Sequence, residues 1–358
     1  MDLRDVLEGI RPVDVTAIRA AEARQAALTK PPGSLGRLEE LSVQLAGIQG
    51  TDRPVIRGKA IIVAAADHGV VAQGVTAYPQ EVTAQMALNF LAGGAAISVL
   101  ARRTGVDLVI VDAGVATPLP EHPDLRMLGI GRGTADITAG PAMSRSQAEA
   151  CITAGVELAL EAAERGADAI GTGDMGIGNT TASSAIVAAL TGRPPGETTG
   201  RGAGRTDSEL AAKATVVERA LAVNKPDAGD PIDVLAKVGG FEIGVLTGVV
   251  LGGAYVRCAV VIDGFISGAA ALIAHRLCPQ VRDYLVAGHL SAEAGHRVVL
   301  KALGLRPLLE LDMRLGEGTG AALAMGLLEA AAATLSDMAT FAEAGVSDRL
   351  ADETRGAP

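Results

Sequence analysis

Residues 60–69 have the sequence AIIVAAADHG, an apolar run that ends at two polar residues and a glycine. Similar apolar runs lie at 106–111, 125–130, 167–170, 259–262, 284–287 and 308–311. Alanine-rich helical patterns follow most of them, at 81–103, 144–166, 264–277, 291–303 and 318–335. Because apolar strands alternating with helices are typical of a parallel sheet covered on both faces, we predict an α/β fold. Seven such runs favour an open, doubly wound sheet over an eight-stranded barrel.

Acidic residues and glycines follow the predicted strands. Ligands of doubly wound sheets bind outside the carboxyl ends of the strands, so this edge is the predicted position of a site. The acidic residues expected to converge there are Asp67, Asp112, Asp174, Asp263 and Glu317.

The two ends of the chain differ in pattern from its middle. Residues 13–28 and 34–48 predict two amphipathic helices, with Ser34 as the N-cap of the second. No apolar strand precedes them. We therefore predict a small helical domain formed by residues 1–50 and 336–358, and a large α/β domain at 51–335.

The composition excludes several classes of partner. The chain has 358 residues, with 31 Lys and Arg against 41 Asp and Glu, and a formal net charge of −10. This charge argues against a broad surface for nucleic acid or anionic membranes. Three Tyr, four Phe and no Trp are too few rings for a platform on which bases stack. We therefore expect no nucleic-acid partner.

The cysteine and hydropathy patterns predict a cytoplasmic protein. The three cysteines form no CxxC pair, which is typical of buried free thiols in a reducing cytosol. No apolar signal segment begins the sequence, and the apolar stretch 243–256 is too short to span a bilayer. The five His have no metal-binding spacing. We therefore expect neither a membrane partner nor a metal cofactor.

Two glycine-rich segments predict an anion site. Residues 176–181, GIGNTT, lead into a helical pattern, and the N–H groups of a helix N-terminus suit a phosphate. An ordinary N-cap by Asn179 or Thr180 is a compatible alternative. Residues 199–205, TGRGAGR, form a second donor-rich loop ahead of Lys213, although a solvated linker also explains this composition.

Residues 171–176, GTGDMG, formally match the dinucleotide fingerprint GxGxxG. That fingerprint requires an acidic residue about 20 positions further on, at the end of the next strand. In this chain the position falls near Glu197, in a loop rich in proline and glycine. A dinucleotide-dependent oxidoreductase is therefore an alternative that lacks a clear ribose-binding residue.

The other candidates lie where loops lead into helices. Residues 78–86, YPQEVTAQM, offer a ring, two amides and a methionine to a pocket for a flat ring, or merely the first turn of a helix. Residues 311–320, LDMRLGEGTG, place Glu317 between two glycines. A general base and a carboxylate that stabilises a helix N-terminus both fit this position.

Taken in order, these segments resemble the nicotinate-nucleotide:dimethylbenzimidazole phosphoribosyltransferases of cobalamin lower-ligand assembly. No single motif is specific to this family, whereas the complete set of motifs in this order is. The segments that carry the resemblance are 30–39, 66–70, 82–86, 171–181, 200–204, 263–265, 288–293 and 314–320.

The resemblance implies transfer of phosphoribose from nicotinate mononucleotide to 5,6-dimethylbenzimidazole, which yields α-ribazole 5′-phosphate and nicotinate. It also implies a Rossmann-like, mostly parallel sheet, a small helical domain from the chain ends, a homodimer and no cofactor. A binding module that holds the nucleotide without releasing nicotinate is the non-catalytic alternative.

The resemblance also implies the residues of the site. The catalytic candidates are Glu317 and Asp174, the latter at a position where the family often has Glu. The residues expected to bind substrate are Tyr78, Gln80, Gln85, Met175, Gly176, Ile177, Gly178, Asn179, Thr180, Gly202, Ala203, Gly204, Lys213, Asp263, Ser291 and Leu315.

Overall fold

The computed structural model describes residues 2–200 and 207–347. Within them, six apolar segments form one sheet, as expected for strands that are buried on both faces. The strands are β1 (Gly58–Ala66), β2 (Asp107–Gly114), β3 (Leu125–Met127), β4 (Ala167–Met175), β5 (Ala259–Ile262) and β6 (Leu285–Ala287).

The sheet has the order β3-β2-β1-β4-β5-β6, and every adjacent pair is parallel. The central strand β1 pairs with both of its neighbours, so that Val63 lies opposite Ile110 on one side and Gly173 on the other. The chain therefore winds outward from β1 in both directions. This order confirms the predicted doubly wound, Rossmann-like α/β fold.

Two of the predicted strands are wrong: one does not form, and the other is shorter than predicted. The run at 308–311 forms no strand, and Leu309 makes only an isolated bridge to His289. Asp312 follows with φ of 54°, a left-handed conformation that ends an extended segment. The run at 125–130 is extended only to Met127, because Gly129 turns the chain with φ of 66°.

Helices lie between the strands in the sequence and also near both ends of the chain. In chain order they are α1 (Leu3–Gly9), α2 (Val15–Ala27), α3 (Arg37–Gln49), α4 (Val82–Leu91), α5 (Ala96–Thr104), α6 (Arg145–Glu164), α7 (Asn179–Thr191), α8 (Pro195–Thr198), α9 (Asp207–Asn224), α10 (Pro231–Val238), α11 (Phe241–Tyr255), α12 (Phe265–Leu277), α13 (Ala294–Leu303), α14 (Thr319–Asp337) and α15 (Phe341–Ala344).

The helical patterns place most of these helices but misplace some boundaries. The single helix predicted at 81–103 is two helices, α4 and α5, because Gly93 between them has φ of 75°. The predicted N-cap Ser34 lies in a turn, and Gly36 is the residue that precedes α3.

Helix α11 is buried on all sides. Its residues 241–254 are all buried, so its sequence is apolar around the whole helix. It lies so close to α6 that a Cβ at Gly155 would overlap the carbonyl oxygen of Val245. A Cβ at Gly248 would likewise overlap the carbonyl oxygen of Ile152. Glycine at these two positions therefore permits the close contact between the helices.

Two described segments, Val82–Thr104 and Thr319–Asp337, are long and apolar enough to cross a membrane by length and composition alone. The first comprises α4 and α5, and the second is α14. Of the most apolar 18-residue stretch in each segment, 39% and 56% respectively is buried in the structure. A core helix passes the same test of length and hydropathy, so the expected absence of a membrane partner stays a prediction.

The chain separates into two compact units. The first comprises Met1–Pro12 and Ile56–Gly326 and contains the sheet. The second comprises Val13–Val55 and Leu327–Pro358. Inside the second unit the Arg24 guanidinium donates hydrogen bonds to the carbonyl oxygens of Leu335 and Met338, at 2.6 and 2.9 Å. The domain limits predicted from the sequence, at residues 50 and 336, stay a prediction.

Candidate active site

A cavity of about 550 Å³ lies at the carboxyl edge of the sheet, within the first unit. Its wall is built from the ends of β4, β5 and β6 and the segments that follow them, the usual position of a site in this fold. The contributing segments are residues 75–78, 174–180, 264–266 and 314–317, together with Val82, Met86, Lys213, His289, Ser291 and Glu293.

Most of the predicted site residues lie in this wall: Tyr78, Asp174, Met175, Gly176, Ile177, Gly178, Asn179, Thr180, Lys213, Ser291, Leu315 and Glu317. Gln80 and Gln85 are outside the wall, and Gln85 is exposed on α4, so their contact with substrate stays a prediction. Gly202, Ala203 and Gly204 lie outside the described residues.

The predicted convergence of five acidic residues holds only in part, because only Asp174 and Glu317 lie in the cavity wall. Asp67 accepts a hydrogen bond from the Ala116 amide instead, at 2.8 Å. Asp112 accepts hydrogen bonds from the amides of Gly114 and Val115, at 3.0 and 2.8 Å. These two carboxylates therefore shape the loop after β2.

The glycine turn between β4 and α7 brings a helix N-terminus to the cavity. Gly178, with φ of 96°, is the N-cap of α7, and no side chain of the described residues caps the helix. The predicted caps Asn179 and Thr180 are helical residues instead. The Asn179 amide donates to Asp174 Oδ2 at 2.9 Å. The first-turn N–H groups of α7 thus lie beside the cavity, where they can bind an anion.

Lys213 adds a positive charge at this helix N-terminus. The residue lies on α9 and is 2% exposed. Its ammonium group donates a hydrogen bond to Thr180 Oγ1 at 2.6 Å. An ammonium group and a helix N-terminus both attract an anion. Together they form the part of the cavity best suited to a phosphate.

Glu317 lies in another turn of the cavity wall, the one that precedes α14, and its backbone is strained. Its φ is 64°, and both flanking glycines also have positive φ. Its Oε2 accepts a hydrogen bond from the Ile97 amide at 3.2 Å, and burial raises the pKa of its carboxyl group above the ordinary value. Left-handed backbone in a non-glycine residue persists where surrounding contacts impose it, commonly at functional sites.

Asp263 fixes the turn that carries Glu317. Its Oδ2 accepts a hydrogen bond from the Gly318 amide at 3.2 Å. Its Oδ1 accepts from the amides of Gly320 and Ala321, at 2.6 and 3.1 Å. Burial raises the pKa of Asp263 to about 7, against the lowering effect of these three donors. Asp263 is fully buried beneath the turn and outside the cavity wall.

Asp174 is another buried acid of the wall. Burial, reinforced by the nearby Asp263 carboxyl group, raises the pKa of Asp174 well above its ordinary value. Its Oδ1 is buried and has no hydrogen-bond partner among the described residues. The same cavity wall thus holds carboxyl groups and a lysine, which suits a substrate that carries both a cationic and an anionic group.

Comparison with known proteins places the chain in a family. A family model described as "Phosphoribosyltransferase" matches residues 10–346. The chain belongs to this phosphoribosyltransferase family.

Similar proteins carry the name nicotinate-nucleotide–dimethylbenzimidazole phosphoribosyltransferase. That of Roseiflexus sp. (strain RS-1) is 59% identical over 348 residues, which cover 97% of this chain and 99% of the relative. That of Chloroflexus aggregans (strain MD-66 / DSM 9485) is 58% identical over 347 residues, which cover 97% and 98%. The crystal structure of the Thermus thermophilus protein has a TM-score of 0.90 and 50% identity, and covers 94% of this chain and 100% of that one.

These comparisons confirm the family resemblance and give no support to the dinucleotide-dependent oxidoreductase. The lack of the acidic ribose-binding residue after GTGDMG agrees with this outcome. In the described part of this phosphoribosyltransferase, no group of three or more His, Cys, Asp or Glu is placed to hold a metal ion.

Several wall residues of the phosphoribosyltransferase were not predicted from the sequence. Phe265 and Ile266 begin α12, directly after the end of β5. His289 and Glu293 follow β6. The spacing of His289 from the other histidines matches no metal-binding motif, so the spacing does not mark His289 as a site residue. The usable signal is the polar and glycine-rich segment after each predicted strand, since this edge of the sheet carries the site.

Proposed function

We propose that this phosphoribosyltransferase transfers the phosphoribosyl group of nicotinate mononucleotide to 5,6-dimethylbenzimidazole. The products are α-ribazole 5′-phosphate and nicotinate. One observation carries the proposal: the same cavity holds both an anion-binding helix N-terminus with Lys213 and a buried carboxylate, Glu317. The names of the relatives support the same pair of substrates.

The reaction suits a site with a general base. The pyridinium of nicotinate mononucleotide is a good leaving group, so C1′ of the ribose is electrophilic. One azole nitrogen attacks C1′ and forms the new C–N bond, while the old C–N bond breaks and its electron pair stays on the pyridine nitrogen of nicotinate. Attack opposite the leaving group converts the β-riboside into an α-riboside. Glu317 accepts the proton of the other azole nitrogen.

The phosphate is the anchor that holds C1′ in place. The N-terminus of α7 and the Lys213 ammonium group bind the 5′-phosphate, far from the bond that breaks. Binding energy from such a remote group orients the reacting atoms. Asp174 lies in the cavity wall, where a carboxyl group in its neutral form can donate a hydrogen bond to the substrate.

We expect Lys213→Ala to raise the KM for nicotinate mononucleotide by about 10- to 100-fold, with a much smaller effect on the KM for the azole. A hydrogen bond to a charged group contributes about 1.5–3 kcal/mol, which gives this range. Steady-state kinetics with each substrate varied in turn measure both constants. Lys301→Ala is the control, because Lys301 is exposed on α13 and outside the wall. Equal use of nicotinate riboside, which lacks the phosphate, would contradict the assignment.

The base pocket has apolar groups at its mouth. Leu315 is 58% exposed and Tyr78 is 51% exposed, and both line the cavity, as does Met175. A flat aromatic base that packs against these side chains removes their apolar surface from water.

We expect Leu315→Arg to raise the KM for dimethylbenzimidazole by about tenfold or more, because a long charged side chain would fill the mouth and require desolvation. The affinity for nicotinate mononucleotide, measured calorimetrically without the azole, should change little. Leu311→Arg is a matched control, since Leu311 is 55% exposed nearby in the chain but lies outside the wall. An unchanged azole KM in Leu315→Arg would remove Leu315 from the pocket.

Purified protein incubated with both substrates tests the function. Chromatography should show nicotinate and α-ribazole 5′-phosphate appearing in equal amounts. A non-catalytic binding module would bind nicotinate mononucleotide without releasing nicotinate. Omission of the azole separates transfer from simple hydrolysis of the nucleotide.

The enzyme is proposed to act as a cytoplasmic homodimer. Exposed apolar side chains, Leu88 on α4 and Val99 on α5, support an interface on these helices. The cysteines of the described residues are free and buried, in keeping with a reducing compartment. Sedimentation velocity measures the oligomeric state, and cell fractionation measures the location.

A further inference from the structure

A buried pair of titratable side chains lies outside the cavity wall and has no part in the mechanism above. His68 follows β1, and Glu242 lies in the first turn of α11. His68 Nε2 and Glu242 Oε1 are 2.6 Å apart, and the two side chains are 1% and 0% exposed. Burial of such a pair has a desolvation cost that can exceed the gain from the contact. Its presence therefore suggests a role other than general stability.

Glycines of the phosphate-binding turn pack directly against this pair. A Cβ at Gly176 would lie 3.2 Å from Glu242 Oε1, and a Cβ at Gly178 would lie 3.4 Å from the His68 Cβ. On the side of Gly240, a Cβ would lie 2.6 Å from Glu242 Oε2 and would overlap the His68 ring. The pair therefore lies between the turn and the segment that begins α11.

The pair is part of the support of α7. Gly178 is the N-cap of α7, and the carbonyl oxygen of Gly176 accepts a hydrogen bond from the Asn179 backbone N–H at 3.1 Å. A shift of either glycine would therefore move the first-turn N–H groups of the helix. Strand β1, which ends two residues before His68, and helix α11, which carries Glu242, are both buried, so they supply a rigid base.

We propose that His68 and Glu242 are positioning residues, which hold the 176–178 turn and the N-terminus of α7 where the substrate phosphate binds. They act through the turn and touch no substrate. The inference rests on the proposed function, because it adds a support to the same phosphate site. Hydrogen bonds weaken when their donors move out of line, so a small shift of this turn should weaken the contacts with the phosphate and lower the affinity for the nucleotide.

The test is the affinity for nicotinate mononucleotide without the azole, measured calorimetrically in the full-length protein. Glu242→Ala should weaken the affinity by about tenfold or more, because the turn loses the side chain against which it packs. Glu242→Gln should restore most of it, since an amide oxygen still accepts the His68 Nε2–H. In steady-state kinetics the KM for the nucleotide should rise, with kcat and the azole KM within about threefold.

Thr247→Val is the matched control on the same helix. Thr247 is buried, and its hydroxyl group donates to the carbonyl oxygens of Ile243 and Ala270, at 2.8 and 3.3 Å. Thr247→Val should lower the thermal midpoint and leave the nucleotide affinity unchanged. If Glu242→Ala lowers the midpoint in the same way and also leaves the affinity unchanged, the pair is only structural and the proposal is overturned.

A second variant keeps the test informative if Glu242→Ala does not fold. Gly240→Ala presses on the pair from the side away from the turn, and it should weaken nucleotide affinity selectively. A folded Gly240→Ala protein with wild-type affinity would contradict the proposal. Binding of inorganic phosphate by the wild type and by both variants separates this inference from the proposed function. Phosphate affinity reports on the turn even if the wild type releases no nicotinate.

Discussion

Replacement of Glu317 by Gln should lower kcat by about 10²–10⁴, the usual contribution of a general base. Gln keeps the shape of the side chain and can still accept the Ile97 N–H, but it cannot take the azole proton. The KM for nicotinate mononucleotide should stay within a few-fold of wild type, because the phosphate is assigned to other residues, the N-terminus of α7 and Lys213. Single-turnover and steady-state rates at one pH measure the loss.

The thermal midpoint decides between this role and a merely structural one. A carboxylate that only stabilises the N-terminus of α14 contributes about 0.5–1 kcal/mol, and its loss would leave turnover near normal in the folded fraction. A lowered midpoint with normal kcat would exclude Glu317 as the base. Glu310→Gln is the control, because Glu310 is exposed and outside the wall.

The pH dependence follows from the burial of Glu317. Burial raises its pKa, and the base must be ionised to accept a proton. As the pH falls through this raised pKa, kcat should fall, beginning at a higher pH than for an exposed glutamate. The residual activity of Glu317→Gln should lack this acidic limb. A wild-type profile that stays flat down to the ordinary range of glutamate would contradict the assignment.

The strands that the sequence predicts best are those of the sheet centre. The run at 60–66 is apolar throughout because β1 is covered on both faces and paired on both edges. The run at 308–311 also contains three leucines, but it is only partly buried and makes a single bridge. A short run of apolar residues alone therefore does not establish a strand, because strand formation also needs a neighbouring strand with which to pair.

Helix α11 shows the opposite difficulty. Its apolar residues follow no 3.6-residue period, since every face of the helix is buried. A periodic pattern identifies a helix only where one side meets water. The sequence of residues 243–256 therefore indicates only an apolar stretch that is too short to span a bilayer, and it does not identify the helix.

The site was predicted where its residues are local in sequence. The 174–180 turn lies at the end of a predicted strand, and Glu317 lies in a loop between two glycines, so both can be located in the sequence. The amide of Gln85 favours a substrate contact, but the turn of α4 on which Gln85 lies exposes it to solvent. Asp263 was expected to touch the substrate, whereas its partners are backbone amides more than 50 residues later. Such a contact exists only in the folded chain.

Replacement of Asp263 should therefore affect both stability and catalysis. Asp263→Ala removes the acceptor of three buried N–H groups, those of Gly318, Gly320 and Ala321. A buried donor left without a partner costs about 1–3 kcal/mol, so we expect a loss of about 3–5 kcal/mol in the free energy of unfolding. Chemical denaturation measures this loss. Asp263→Asn, which keeps one acceptor oxygen in place, should lose less.

The catalytic effect of Asp263→Ala should exceed what unfolding explains. Without its anchor, the turn can relax from the left-handed conformation that points Glu317 into the cavity, and displacement by about 1 Å costs about 100-fold in kcat. Asp112→Ala is a matched control, because Asp112 also accepts two backbone N–H bonds but lies outside the wall. It should lower stability and leave kcat unchanged. If Asp263→Ala, assayed well below its midpoint, also keeps wild-type kcat, Glu317 does not depend on this anchor. A fall in kcat with an unchanged nucleotide KM would place Asp263 beneath the catalytic base and separate it from the phosphate site.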